Sequence, residues 1–336
     1  MKRRLAAIAA ALLCSHLACM AQPPATTRAS EGYLEHAQSV AGQSELSPQA
    51  WKEKLEALPL PSHTVEGYGG GAITPVAYLV NRGPKGTVVG KPAVSVMSVV
   101  AGKKNVQAFA VTETLLRRIE LGYALDYVGL GSLPDDIQDT TGIDIERHHL
   151  WIHNFNVRVM LLDEGAFGVV YLPALTAGVH FKFNEGIEDI DNSVHGALTE
   201  IGYDRPYGTD FTLTASKTIV HRLTFNRPLT LTVGMRNSQA AQIGALGFSD
   251  HCQTTVEANV AYLLTDFLVV GYEFRQKGSP YDEIPGLIGP EDNWHAVGVA
   301  WLVNSHFTID FGWAALGTVA NSVEDCAMWL QIKYEF

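Results

Sequence analysis

The sequence predicts an all-β fold: an antiparallel transmembrane β-barrel of the outer-membrane type, with about 12 strands and a short periplasmic N-terminal segment. Three observations predict it. The chain ends on a strictly alternating strand, with Met328, Leu330, Ile332, Tyr334 and Phe336 on one face and a terminal aromatic of the kind that outer-membrane assembly machinery recognises. It begins with a secretory signal, yet no later stretch approaches the ~20 apolar residues a membrane-crossing helix needs. Between these ends, alternating segments recur at strand length, joined by connections that alternate between long and short with one reversal at the first hairpin.

In the signal, Met1 to Arg4 form the basic start, Leu5 to Cys14 the apolar run, and Cys19-Met20-Ala21 the small-residue cleavage site before Gln22. Leu17-Ala18-Cys19 partly matches a lipobox, but His16 stands where that pattern wants an aliphatic residue, which favours cleavage after Ala21. Removing Lys2, Arg3 and Arg4 with residues 1–21 takes the formal charge of −11 to −14, too acidic for a nucleic-acid binder. It also leaves Cys252 and Cys326, which read as free thiols near strand starts.

Residues 22–90 form a second region. Gln22 to Ser30 is a polar leader; Ser47-Pro48 followed by Trp51, Leu55 and Leu58 predicts one short capped helix, which Pro59 and Pro61 end. The glycine run 67–71 then leads to ITPVAYLV, a strand candidate that carries Pro75. This region is either a plug inside the barrel or a periplasmic lead-in.

The barrel occupies 91–336, with strands expected at 91–101, 105–114, 117–128, 147–162, 173–184, 207–218, 228–238, 252–264, 266–277, 292–303, 305–316 and 326–336. Even parity leaves both termini in the periplasm. Ile119, Leu121, Tyr123, Leu125 and Tyr127 illustrate the lipid face, as do Phe307, Ile309, Phe311 and Trp313. His153 interrupts an otherwise apolar parity, which a bulge there could explain. A charge facing lipid at mid-membrane costs ~2–4 kcal/mol, so the opposite parity should carry the charges. That parity assigns Arg118, Glu120, Asp126, Arg158, His180, Lys182, Arg236, Glu257, Glu273, Arg275 and Asp310 to the lumen, with Glu273 and Arg275 as a same-face pair.

The stretches GGGAITPVAYLVN (69–81), QAFAVTETL (107–115), RIELGYALD (118–126), GSLPDDI (131–137), GVHFKFNEGIEDID (178–191), DFTLTASKT (210–218), GYEFRQK (271–277), YDEIPGL (281–287), EDNWHA (291–296) and IKYEF (332–336) resemble a proteobacterial family of secreted, barrel-like proteins known only as a domain of unknown function. The resemblance covers nearly all of the chain from Gly69 onward and implies the same fold and location. It brings no activity and no site residues.

Rings of lumen charge set which solutes pass, so a narrow porin-like pathway for small solutes is the expected function. A non-conducting barrel that binds partners through its acidic external loops is the alternative. Those loops carry Asp135, Asp136, Asp139, Asp144 and Glu146, then Glu185, Glu188, Asp189, Asp191, Glu200 and Asp204, then Asp282, Glu283, Glu291 and Asp292. Oxygen-rich clusters suit hard cations, but GIEDIDN lacks the spacing of a calcium loop, and solvated charge is the preferred reading, with no metal or cofactor. A lipid-modifying hydrolase ranks third. His148-His149, Asp250-His251, His295 and Ser305-His306 form no convergent Ser-His-acid set, and ALGFSDH lacks the nucleophile elbow. The expected partners are outer-membrane lipids, the assembly machinery at Phe336, and small solutes.

Overall fold

The computed structural model describes residues 50, 51, 54, 55 and 58–336. The signal peptide and the polar leader predicted before them lie outside the described residues.

Antiparallel strands close into a barrel: β1 (Ala93–Ala101), β2 (Lys104–Leu115), β3 (Ile119–Gly129), β4 (His149–Leu162), β5 (Ala174–Glu185), β6 (Tyr207–Val220), β7 (Pro228–Ala240), β8 (Phe248–Leu263), β9 (Leu268–Arg275), β10 (Trp294–Leu302), β11 (Phe307–Ala315) and β12 (Ala327–Glu335). Each pairs with its sequence neighbour. The ring closes between β12 and β1, in register from Met328↔Val100 to Glu335↔Ala93, so no backbone edge is left open to lipid.

The strands form because β-branched and aromatic residues alternate with polar or small ones, and the ladder puts one set outside and the other inside. On β12, Met328, Leu330, Ile332, Tyr334 and the terminal Phe336 are exposed, whereas Trp329, Gln331, Lys333 and Glu335 are buried. Val96, Phe109, Phe155, Phe211, Met235 and Phe311 extend the exposed apolar belt around the ring. Outward aromatics cluster: Tyr123 packs on Phe155, which packs on Phe181, which packs on Tyr207. An apolar outside around a charged inside is the inverse of a soluble protein and suits a bilayer, as in outer-membrane barrels. With even strand number both barrel ends lie at one rim, the one that the sequence assigns to the periplasm.

Three local expectations are corrected. The ladder runs unbroken past His153, whose outward ring bonds the Tyr123 hydroxyl at 2.9 Å and lies 3.6 Å from Glu185; the β4 irregularity falls instead between Met160 and Leu162. β8 begins earlier than expected, at Phe248, because a register shift before Gln253 hides its periodicity. The ITPVAYLV stretch is no strand: Ser62–His63 and Gly69–Gly70 form a minimal hairpin, and only the bridge Gly70↔Pro75 continues it.

The external loops fold over their rim. α1 (Leu133–Thr141), α2 (Ile187–Ser193) and α3 (Ala197–Glu200) contribute Leu133, Ile137, Ile187, Ile190 and Leu198 to an apolar cluster completed by Tyr203, Leu246, Tyr281, Leu287 and Ile288. At the opposite rim, Trp51 packs on Leu263 and Leu302, with Leu55 and Leu58 beside them, and Lys54 pairs with Asp266 in the β8–β9 turn at 2.9 Å. Residues 50, 51, 54 and 55 are helical, as Ser47-Pro48 predicts.

Candidate functional site

Residues 58–82 run inside the ring of strands, held mainly by side chains of the wall rather than by strand pairing. From the hairpin, the Ser62 hydroxyl donates to Asp310 at 2.7 Å, and the His63 ring lies 2.8 Å from Ser95 and 3.0 Å from Thr112. Gln331 accepts from the His63 amide and donates to its carbonyl. Further along, the Ala77 amide donates to Ser216, the Val80 amide to Glu120, and the Tyr78 hydroxyl to Glu164. Bonds therefore reach most strands. Toward β10, where the inward residues are Trp294, Ala296 and Ala300, the contact is apolar, through Val65, Ala72 and Ile73.

The centre of this arrangement is one carboxylate. Glu66 accepts from Arg275 at 2.7 Å and from Tyr68 at 2.8 Å, contacts Arg236 at 3.4 Å, and pairs closely with Lys182. On the wall, Asp210 binds Lys182 and Arg236 at 2.9 Å each, while Glu257 binds Arg236 at 2.6 Å and Arg275 at 3.4 Å. Three cations thus meet three carboxylates, all buried. Arg236, Arg275 and Lys182 lie within ion-pair distance of Glu66 and offset the cost of burying its charge.

Glu273 does different work. The amides of Ala72, Ile73 and Thr74 donate to it at 2.7, 3.0 and 2.8 Å, and the Thr74 hydroxyl adds a fourth bond at 2.7 Å. A tight bend of the segment is wrapped around a wall carboxylate, and glycine makes the approach possible. A Cβ on Gly71 would enter the Glu273 carboxylate, and one on Gly67, at φ +83, would meet Ala124. Nearby, Arg158 bridges Glu120 at 3.0 Å and the Gly69 carbonyl at 2.9 Å.

Of the residues assigned to the lumen from sequence, Glu120, Asp126, Arg158, His180, Lys182, Arg236, Glu257, Glu273, Arg275 and Asp310 are buried on the inner side of the wall. Asp126 accepts from Asn154, and His180 bridges Asn156 and Thr212. Arg118 precedes β3 in the turn, is about half exposed, pairs with Asp163 at 2.7 Å, and lines the mouth of the cavity described below rather than the centre of the lumen. Glu273 and Arg275 stand on one inner face, as their spacing predicts. Arg275 turns to Glu66 and Glu257, and Glu273 to the segment's amides. Sequence reasoning missed Glu66 and Tyr68, whose segment gave no strand signal. It also missed Asp210, which the parity of Phe211 and Leu213 could have revealed.

A cavity of about 1740 Å³ opens beneath the segment. It runs from the periplasmic rim, with Arg82, Arg117 and Phe336, up to Gly71, Glu273 and Asp310. Above, several acids of the external loops are bonded within their own loop or to a neighbouring one. Asp191 accepts from the amides of Leu198 and Thr199, Asp189 pairs with Arg147, Glu291 with Lys277 and Asp292 with Thr318. Among the described residues, no group of three or more His, Cys, Asp or Glu side chains is placed to hold a metal ion. Cys252 and Cys326 are exposed and unbridged.

A family model described as "Protein of unknown function (DUF3034)" matches residues 62–333. No curated protein matches the chain. Among solved structures, the KdgM porin aligns over 73% of this chain and 99% of its own, at 8% identity and TM-score 0.45. The NanC porin aligns over 73% and 98% at 9% identity and TM-score 0.42, and the COG4313 outer membrane channel from Pseudomonas putida F1 over 74% and 94% at 10% identity and TM-score 0.42. Likeness at this level carries no argument about activity.

Proposed function

The chain belongs to the DUF3034 family, and we propose from its own residues that it is a porin-like outer-membrane barrel whose solute pathway its N-terminal segment holds closed. One observation carries this reading: the lumen wall is ionised and polar, and the segment satisfies that wall through side-chain and amide bonds centred on Glu66 and Glu273. A barrel that needed only a solid interior could fill it with apolar side chains, at no cost for desolvating charges. An ionised wall instead suits a route that water and solutes enter once the segment leaves. The periplasmic cavity gives the segment room to withdraw without unfolding the ring.

The reading is of a transport protein, not an enzyme, with lipids around the apolar belt and assembly through the strand that ends at Phe336. Full-length protein refolded into planar bilayers should open rarely. Losing one partner of a buried ion cluster costs ~3–5 kcal/mol, so Glu66→Ala should raise the open fraction by about tenfold or more. Equal open fractions in both proteins would remove the segment from the gating account.

A further inference from the structure

We infer that the pathway's constriction is a binding site for small carboxylate anions, and that Glu66 is its resident occupant. This rests on the closed-pathway reading and names the solute class. The geometry is that of a ligand site filled from within. Glu66 reaches the wall on a segment distant in sequence and receives donors from Lys182, Arg236, Arg275 and Tyr68. The other acids of the cluster, Asp210 and Glu257, belong to β6 and β8 and stay with the wall.

When the segment withdraws, Glu66 leaves three cations facing two carboxylates. The excess is one positive charge, and a ring of charge in a pore sets which ions it prefers. The two guanidiniums present several N–H groups in fixed planes, which matches the paired oxygens of a carboxylate better than a spherical halide. A passing carboxylate can therefore replace Glu66, and by mass action its presence favours the open arrangement. The same competition makes the site selective. A cation meets repulsion there, and a neutral solute leaves the excess charge uncompensated.

The test uses acetate, because Glu66→Ala removes the equivalent of a CH2–COO⁻ fragment from the centre of the cluster. Refolded Glu66→Ala, followed by the heat at which the barrel loses its compact gel mobility, should gain several degrees with acetate in a saturable manner. Chloride at equal ionic strength should not reproduce the gain, and the wild-type protein should show none. If Glu66→Ala refolds poorly, the yield becomes the readout, and acetate but not chloride should raise it. Absence of an acetate-specific effect on stability and on yield overturns the proposal. Acetate binding in a barrel that never conducts would leave the carboxylate site standing and defeat the pathway reading. A conducting Glu66→Ala barrel that prefers potassium to chloride would defeat the anion site and leave the pathway.

Discussion

Glu66 and Glu273 are both buried carboxylates, yet they are stabilised by different partners and should respond differently to substitution. Glu66 is balanced by charge. Glu273 is balanced by amide dipoles, so Glu273→Ala orphans the N–H groups of Ala72, Ile73 and Thr74, each at a cost of ~1–3 kcal/mol if it stays buried. Glu273→Gln keeps a carbonyl acceptor and should lose less. Urea unfolding of the two variants checks the order, and equal losses would mean that the amides find other partners. The sequence made the position of Glu273 legible but not its role. Period two places Glu273 and Arg275 on one face, and same-face neighbours of opposite sign look like partners. Glu257, one partner of Arg275, stands opposite it on β8, but Glu66 and the amides around Glu273 lie about two hundred residues away, on a segment without periodicity, where no spacing rule reaches.

At the scale of elements, every barrel strand was legible, because an exposed apolar face and a polar inner face must alternate in each. The inserted segment was not, since its conformation follows from contacts with the wall and from glycine rather than from any repeat. Gly67 shows this best: a left-handed residue pressed against Ala124, where any side chain is both strained and obstructed. Gly67→Val should loosen the segment while leaving the ring closed. Chymotrypsin should then cut faster at Tyr68 and Tyr78 while the compact gel mobility persists; unchanged cutting would place the restraint elsewhere. Lower down, the hydrogen bond from Lys54, together with Arg227, outweighs partial burial and lowers the Asp266 carboxyl below its ordinary value. A lowered carboxyl stabilises the fold above its unfolded value and loses that contribution as pH falls through the folded one. The tie between the helical turn at Lys54 and the β8–β9 turn should thus hold at neutral pH and weaken only below about pH 4. Hydrogen exchange of residues 50–60 at pH 7 and pH 3 measures it.

The described residues form a ring with two fillings, an apolar loop cluster at the external rim and the inserted segment across the middle, above an open cavity on the periplasmic side. The external filling lowers the functional promise that the acidic loops' composition implies, since Asp136, Asp189, Glu291 and Asp292 are bonded to neighbouring loops. It also sets a condition on transport, because solute must pass the loop cluster as well as the segment. Tyr281, whose hydroxyl donates to the Leu246 carbonyl at 2.8 Å, joins two of those loops, so Tyr281→Phe should increase external access without opening the barrel alone. The most direct measurement of the central claim is single-channel conductance of the refolded protein with and without residues 22–90, the ring being checked by its gel mobility. Rare openings are expected in the intact chain and steady current in the shortened one. A shortened barrel that is folded and silent would contradict that claim.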